Sequence, residues 1–145
     1  MTENELKDLL PEQDVDFLLD KGWPEKIAVS RVGPEIHVAF RPYVFPEGRY
    51  APQAADLLVR LIPPYPNENP DMFWTLPVVL LPNGQRPVQT EVMQIPSPTG
   101  FEAAYSGTQW QRWSRHFGDT ALWRPGVDGL RTYMTSIRLE LERGR

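Results

Sequence analysis

The fold is decided by the stretch LIPPYPNENPDMF at residues 61–73, in which an apolar segment runs into several prolines around Tyr65 and Pro66. Further along the chain, the string WRPGV at residues 123–127 leads into a segment with helical periodicity. Such strings end or begin regular elements, because the proline ring fixes φ and removes the amide hydrogen. Either string alone is typical of an ordinary proline-rich turn or helix start. Their order and spacing on a matching pattern of strands are therefore the informative feature.

The segments around the first string alternate in the way that β-strands do. Apolar residues recur at every second position over 26–32 and 36–40, with a turn at Gly33-Pro34, which predicts a hairpin. A third strand is predicted over 57–62 and a fourth over 73–81, the last closed by a Pro-Asn-Gly turn at 82–84. Residues 85–107 have no sustained period, which predicts a long loop that can include a short strand at 90–95.

Helical periodicity lies at both ends of the chain. Residues 6–21 carry apolar side chains at helical spacing, and Gly22 follows where a helix would end. Near the other end, apolar residues step by three and four along one stripe: Val127, Leu130, Met134, Ile137 and Leu141. The sequence thus predicts one α+β domain over residues 1–145, a four-stranded antiparallel meander with N-terminal and C-terminal helices packed on it.

Composition excludes several classes of protein. The 145 residues are 41% hydrophobic and 23% charged, which is typical of a globular domain. No apolar run approaches the ~20 residues of a membrane span, and the acidic start lacks the features of a secretory signal, so we expect a cytoplasmic protein. A net charge of −4 with scattered basic residues argues against nucleic acid as the main partner.

The chain has no cysteine, which excludes disulfides, cysteine-rich zinc sites and thiolate catalysis. Only two histidines, His37 and His116, could act as bases near neutral pH. The sequence has no metal-ligand cluster, no glycine-rich phosphate loop and no G-x-S-x-G elbow, so we expect neither a metal site nor a bound cofactor.

The two strings and the order of elements resemble the ubiquitin-conjugating enzyme superfamily. The stretch at 61–73 is similar to that superfamily's strand-ending tyrosine–proline signature, and WRPGV is similar to the W-S-P-A string that follows its active site. The resemblance covers most of the chain. It is closest to the prokaryotic branch, family E, in which the strings Asp71-Met72-Phe73 and WSRH at 113–116 have counterparts.

The resemblance implies a set of site residues. The superfamily's acceptor cysteine lies eight or nine residues before the tryptophan of the W-S-P string, and the same count back from Trp123 reaches Arg115 or Ser114. Ser114 is then the candidate acceptor and His116 its candidate base. The oxyanion asparagine of the superfamily corresponds to Asn83, although the preceding histidine is absent here. The residues expected to contact the modifier are Trp113, Arg115 and Trp123. Trp123 and Pro125 are also expected to support the site.

A serine acceptor changes the chemistry that the resemblance implies. A hydroxyl is a weak nucleophile without a neighbouring base, and its product is an oxyester rather than a thioester. The stretch beginning at Thr108 also reads as a helix, with a capping box and with Trp110, Trp113 and Phe117 on one face. Such a helix would point Ser114 and His116 apart and would make the aromatic residues core, because side chains two positions apart share a side only in extended chain.

Three functions remain open at this point. The first is a bacterial ubiquitin-conjugating-like protein that accepts a ubiquitin-like modifier from an activating enzyme, as an oxyester on Ser114. The second is a catalytically inactive variant that binds the modifier or its activating enzyme as an adaptor. The third is an unrelated α+β interaction domain whose proline-rich loops form the binding surface. The missing cysteine counts against transfer, and a fold alone does not decide among these functions.

Overall fold

The computed structural model describes residues 1–94, 109–115 and 122–145. Within them the chain forms one antiparallel sheet of six strands in the order β1-β2-β3-β4-β6-β5. The strands are β1 (Ile27–Val32), β2 (Glu35–Val44), β3 (Ala54–Leu61), β4 (Phe73–Leu76), β5 (Thr90–Gln94) and β6 (Gln109–Trp113). The predicted meander of four strands is present as β1 to β4, but the prediction of a four-stranded sheet was wrong because β6 and β5 extend it.

The difference arises in the second half of the chain. Pro77 ends β4 at Leu76, whereas the fourth strand was predicted to continue to residue 81. The short strand predicted at 90–95 exists as β5. The stretch read as a helix from Thr108 is a strand over Gln109–Trp113, which was the larger error, since β6 lies between β4 and β5 and pairs with both. The part of that stretch beyond Arg115 lies outside the described residues, as do residues 95–108 of the long loop.

Three α-helices accompany the sheet: α1 (Glu3–Leu9), α2 (Glu12–Asp20) and α3 (Leu130–Glu142). The single helical entry predicted up to residue 21 is divided at Pro11, which has an extended conformation and precedes α2. A short 3-10 turn at Pro24–Lys26 follows. The final helix begins three residues later than its predicted stripe, because 125–127 form a turn and Val127 remains exposed.

The main core lies between the helices and one face of the sheet. The stripe of α3 supplies buried Leu130, Met134, Ile137 and Leu141 to this core, as the helical periodicity predicted. A second cluster lies on the opposite face and includes Ala39, Leu58, Trp74 and Trp110. Both faces of the central strands are therefore buried.

The second face also carries a buried polar group that consists of Glu35, His37 and Arg60. The Arg60 guanidinium donates to both oxygens of Glu35, at 2.8 and 3.0 Å, and the His37 ring nitrogen Nε2 lies 3.1 Å from Glu35 Oε1. Burial lowers the pKa of His37, although the neighbouring carboxylate opposes that shift. Burial alone would raise the pKa of Glu35, but the hydrogen bonds from Arg60 and His37 lower it.

The described residues contain neither a membrane-spanning helix nor a cluster of metal ligands. No described helix combines the length and the apolar character needed to span a bilayer. No group of three or more histidine, aspartate or glutamate side chains in the described ranges lies close enough together to hold a metal ion.

Candidate functional site

The tyrosine–proline string is held in place by a buried carboxylate from α2. The Tyr65 hydroxyl donates to Asp14 Oδ2 at 2.5 Å, and the amide of Leu130 at the start of α3 donates to Asp14 Oδ1 at 2.9 Å. Asp14 is only 1% exposed. We call Asp14, Tyr65 and Leu130 the Asp14 junction, since they join α2, the loop after β3 and the start of α3.

Electrostatics in the Asp14 junction follow from its burial. Burial raises the pKa of Asp14, while the hydrogen bonds from Tyr65 and Leu130 act in the opposite direction. Burial also raises the pKa of the Tyr65 phenol, and the nearby carboxylate adds to that shift. Tyr65 therefore stays protonated and acts as a donor. The junction positions backbone and is not arranged as an acid–base pair for chemistry.

The second string contacts the first directly. The indole nitrogen of Trp123 donates to the carbonyl of Pro66 at 2.9 Å, so the two strings that were singled out in the sequence meet in the structure. The turn after Trp123 is closed by Asp128, whose Oδ2 accepts from the Arg124 amide at 2.7 Å. The hydrogen bonds from Arg124 also lower the pKa of Asp128. Pro125 lies exposed in this turn.

Ser114 follows β6 directly and is partly exposed. Its amide and its hydroxyl both donate to the carbonyl oxygen of Gln89, at 2.9 and 3.2 Å. Gln89 precedes β5 and has a φ of +54°, which is uncommon for a residue with a side chain. The hydrogen bonds between Ser114 and Gln89 extend the β5–β6 ladder by one position beyond the Thr90–Trp113 pair. The Ser114 proton is thus directed at a neutral backbone acceptor.

Trp113 and Arg115 flank Ser114 and are both buried, at 0% and 2% exposed. The Trp113 ring stacks on Phe73 with centroids 5.1 Å apart, and its indole nitrogen donates to Thr75 Oγ1 at 2.8 Å. The Arg115 guanidinium lies over the Trp113 ring at 4.9 Å. Neither side chain offers surface to a partner, so any role in recognition would act through the position they give Ser114.

Arg115 is held on its other sides as well. Its Nε and Nη2 donate to the carbonyl of Val88, at 3.3 and 3.2 Å, and Glu140 of α3 lies 3.6 Å from Nη1. Burial lowers the pKa of this arginine, while Tyr50 and Glu140 oppose the shift. Arg115 therefore ties the end of β6 to α3 and to the segment before β5.

Asn83 is exposed and forms part of its own turn. Its Oδ1 accepts from the Gln85 amide at 2.9 Å, and Gly84 has a φ of +84°. This geometry is that of a Pro-Asn-Gly turn. The structure records no contact between Asn83 and Ser114, and their side chains bond to different partners.

His116 lies outside the described residues. The helix predicted for the stretch from Thr108 is replaced, within the described residues, by the strand at Gln109–Trp113. Sequence reasoning missed Asp14 and Gln89, the two residues that fix the strings and Ser114. Asp14 reads as an ordinary polar position of α2, and Gln89 reads as a loop residue.

The comparisons with known proteins agree with this geometry. The family model described as "Prokaryotic E2 family E" matches residues 10–144. No curated protein and no solved structure matches the chain significantly. The matched range includes both strings, the whole sheet and α3. The chain therefore belongs to prokaryotic E2 family E, a family of ubiquitin-conjugating-like proteins.

Proposed function

We propose that this protein binds a ubiquitin-like modifier, its activating enzyme or both, as an adaptor that is not itself charged with the modifier. The hydrogen bond from the Ser114 hydroxyl to the Gln89 carbonyl is the observation that carries the proposal. An acceptor for acyl transfer needs a base that takes its proton, and a backbone carbonyl cannot do so. The chain has no cysteine to take over this role.

The way in which the two proline strings are held in place supports binding without transfer. Trp123 bonds to Pro66, and Tyr65 bonds to Asp14, so both strings are positioned without any contact to Ser114. Two exposed apolar side chains flank Trp123 in sequence, namely Leu122 before it and Val127 in the turn after it, at 73% and 61% exposed. Exposed apolar side chains beside a rigid framework suit a protein partner. We place this activity in the cytoplasm.

A second function is transfer through Ser114, and it is favoured by the position of this residue. Ser114 is partly exposed at the end of a strand, at the count from Trp123 that the resemblance gives for the acceptor. In this version the Ser114 oxygen attacks the modifier's C-terminal acyl group. The bond from that acyl group to the activating enzyme breaks, an oxyester forms, and the serine proton passes through His116 to the leaving group.

One experiment separates the two functions. The protein is mixed with ATP, a ubiquitin-like protein and the activating enzyme from the same organism, and the products are examined by intact mass. The adaptor function predicts a stable complex on size exclusion and no covalent adduct while the activating enzyme consumes ATP. A Ser114→Ala variant should bind equally well, because among the described residues the Ser114 hydroxyl donates to a backbone carbonyl, that of Gln89.

The transfer function predicts a different pattern. An adduct would form that resists thiols, is cleaved by hydroxylamine and is missing from Ser114→Ala. Such an adduct would overturn the adaptor proposal. The matched control is Ser136→Ala, a partly buried serine of α3, which should leave such an adduct unchanged.

A further inference from the structure

A cleft of about 220 Å³ lies between α2, α3 and β2, and it shares no residue with the candidate site. Its floor consists of buried side chains, namely Phe17, Phe40 and Met134, which are 6%, 0% and 7% exposed. Trp23 forms one wall and meets Phe40 edge to face, with ring centroids 5.0 Å apart. The interior of the cleft is therefore aromatic and apolar.

The mouth of the cleft is polar and cationic. Lys21 follows the end of α2, and Arg138 lies on α3 across from it. The Tyr43 ring also lines the cleft. Within the part of the chain that the structure describes, the Lys21 ammonium forms no ion pair and the Tyr43 hydroxyl forms no hydrogen bond. Two donors are thus available beside an apolar cleft.

The charges next to the mouth leave an excess of positive charge. Arg138 pairs with Glu142 at 3.2 Å, and Arg131, which lies over the Phe17 ring, pairs with Asp20 at 3.4 Å. Both pairs are exposed, and such pairs contribute little to stability. A carboxylate from outside can therefore compete for Arg138, and no acidic side chain among the described residues occupies Lys21.

We propose that this cleft binds a segment of a partner protein that inserts one aromatic side chain and carries a carboxylate beside it. A volume of about 220 Å³ is below the range of roughly 300–1,000 Å³ typical of small-molecule sites, and it suits one large side chain. Aromatic side chains in desolvated pockets supply much of the affinity of protein interfaces. The cations at the mouth select an acidic neighbour over a basic one.

The test uses the full chain, labelled with ¹⁵N, and the peptide Ac-Gly-Asp-Trp-Asp-Gly-NH₂. We expect saturable amide shifts at residues of the cleft, including Thr135. Alanine in place of the peptide's tryptophan should abolish saturation. Asparagine in place of both aspartates should weaken binding by up to about 5-fold per lost ion pair, and lysine in their place should weaken it further.

Variants locate the site. Thr135 is exposed on α3 and lines the cleft, so Thr135→Trp should fill it and abolish binding, whereas Leu139→Trp, at a 60% exposed position that does not line the cleft, should have no effect. Arg138→Gln should weaken binding of the peptide with two aspartates and leave binding of the peptide with two asparagines unchanged. Arg143→Gln is the matched control, since Arg143 is also an exposed arginine, pairs with Glu140 and does not line the cleft.

Four results would overturn the proposal, three with added ligand and one without. The first is no saturable binding of the Asp-Trp-Asp peptide, and the second is binding that survives Thr135→Trp. The third is equal affinity for free indole-3-acetate, which would assign the cleft to a small aromatic acid. Sedimentation without peptide tests the remaining occupant, because a dimer that Thr135→Trp disrupts would assign the cleft to a second copy of the chain. None of these results depends on whether Ser114 is acylated.

Discussion

Removal of the Asp14 carboxylate should destabilise the whole domain. Asp14→Ala would leave two donors, the partly buried Tyr65 hydroxyl and the buried Leu130 amide, without their acceptor. A buried donor that loses its partner costs about 1–3 kcal/mol. Two such donors give about 2–6 kcal/mol. The variant no longer has to bury a carboxylate, which offsets part of this cost, so we expect the free energy of unfolding to fall by about 2–4 kcal/mol.

A double-mutant cycle tests the reasoning. The free energy of unfolding is measured by urea titration at pH 7 for the parent, Asp14→Ala, Tyr65→Phe and the double variant. We expect a coupling energy of at least about 1 kcal/mol, because the two side chains share a short hydrogen bond. Asp16→Ala is the control, since Asp16 is an exposed carboxylate of the same helix. The reasoning would be refuted if Asp14→Ala cost no more than the control, or if the two changes were additive.

The pH dependence of this junction has a definite sign. The folded state raises the pKa of Asp14 above its ordinary value of 3.8, so the folded protein binds the proton more tightly than the unfolded chain does. This contribution to stability is complete below pH 3.8 and is lost as the pH rises through the folded pKa. Asp14→Asn should remove that loss, and the difference between the two pH profiles measures it.

Two further predictions concern other buried polar groups. Gln111→Leu should lower the free energy of unfolding, measured by urea titration, by about 2–4 kcal/mol. The reason is that the Gln111 side-chain amide accepts from the Val79 amide at 2.7 Å and donates to the Val79 carbonyl at 2.9 Å. The control Gln109→Leu, at an exposed position of the same strand, should lower it by less than about 0.5 kcal/mol. Burial holds the pKa of His37 below its ordinary value of 6.5, so the free energy of unfolding should fall by up to about 1.4 kcal/mol per pH unit as the pH drops below 6.5. His37→Gln should remove this slope. Equal slopes in both proteins would show that His37 does not cause the pH dependence.

The sequence was sufficient for the elements whose apolar pattern has a single period. Strands β1 to β3 bury alternate residues against the main core, and α3 buries one stripe, so each pattern could be read directly. The two proline strings were also informative, because their prolines have a local effect on the backbone that does not depend on the rest of the fold.

The same reasoning failed for β6, and the cause is physical. Trp110 packs in the cluster on one face of the sheet, and Trp113 packs in the main core on the other. With large apolar residues three positions apart on opposite faces, the strand imitates the spacing of a helix. The alternation that would have identified a strand is hidden because both faces are buried.

The Asp14 junction could not be predicted for another reason. Its hydrogen bonds span 51 and 116 positions of sequence, and no local pattern marks a helical aspartate as their acceptor. Gln89 presents the same difficulty, because its partner Ser114 lies 25 positions away. Long-range polar contacts depend on the finished fold, and one sequence contains no record of them.

The distance along the chain between Asp14 and Leu130 has a consequence for synthesis. The helix that contains Asp14 leaves the ribosome early, whereas the amide that its carboxylate accepts follows 116 residues later. At a translation rate of roughly 5–20 residues per second, this delay is about 6–23 s. During that time Asp14 Oδ1 lacks the Leu130 donor, so the Asp14 junction stays incomplete even after Tyr65 has been synthesised. The main core, to which α3 contributes, therefore forms completely only after α3 has been synthesised.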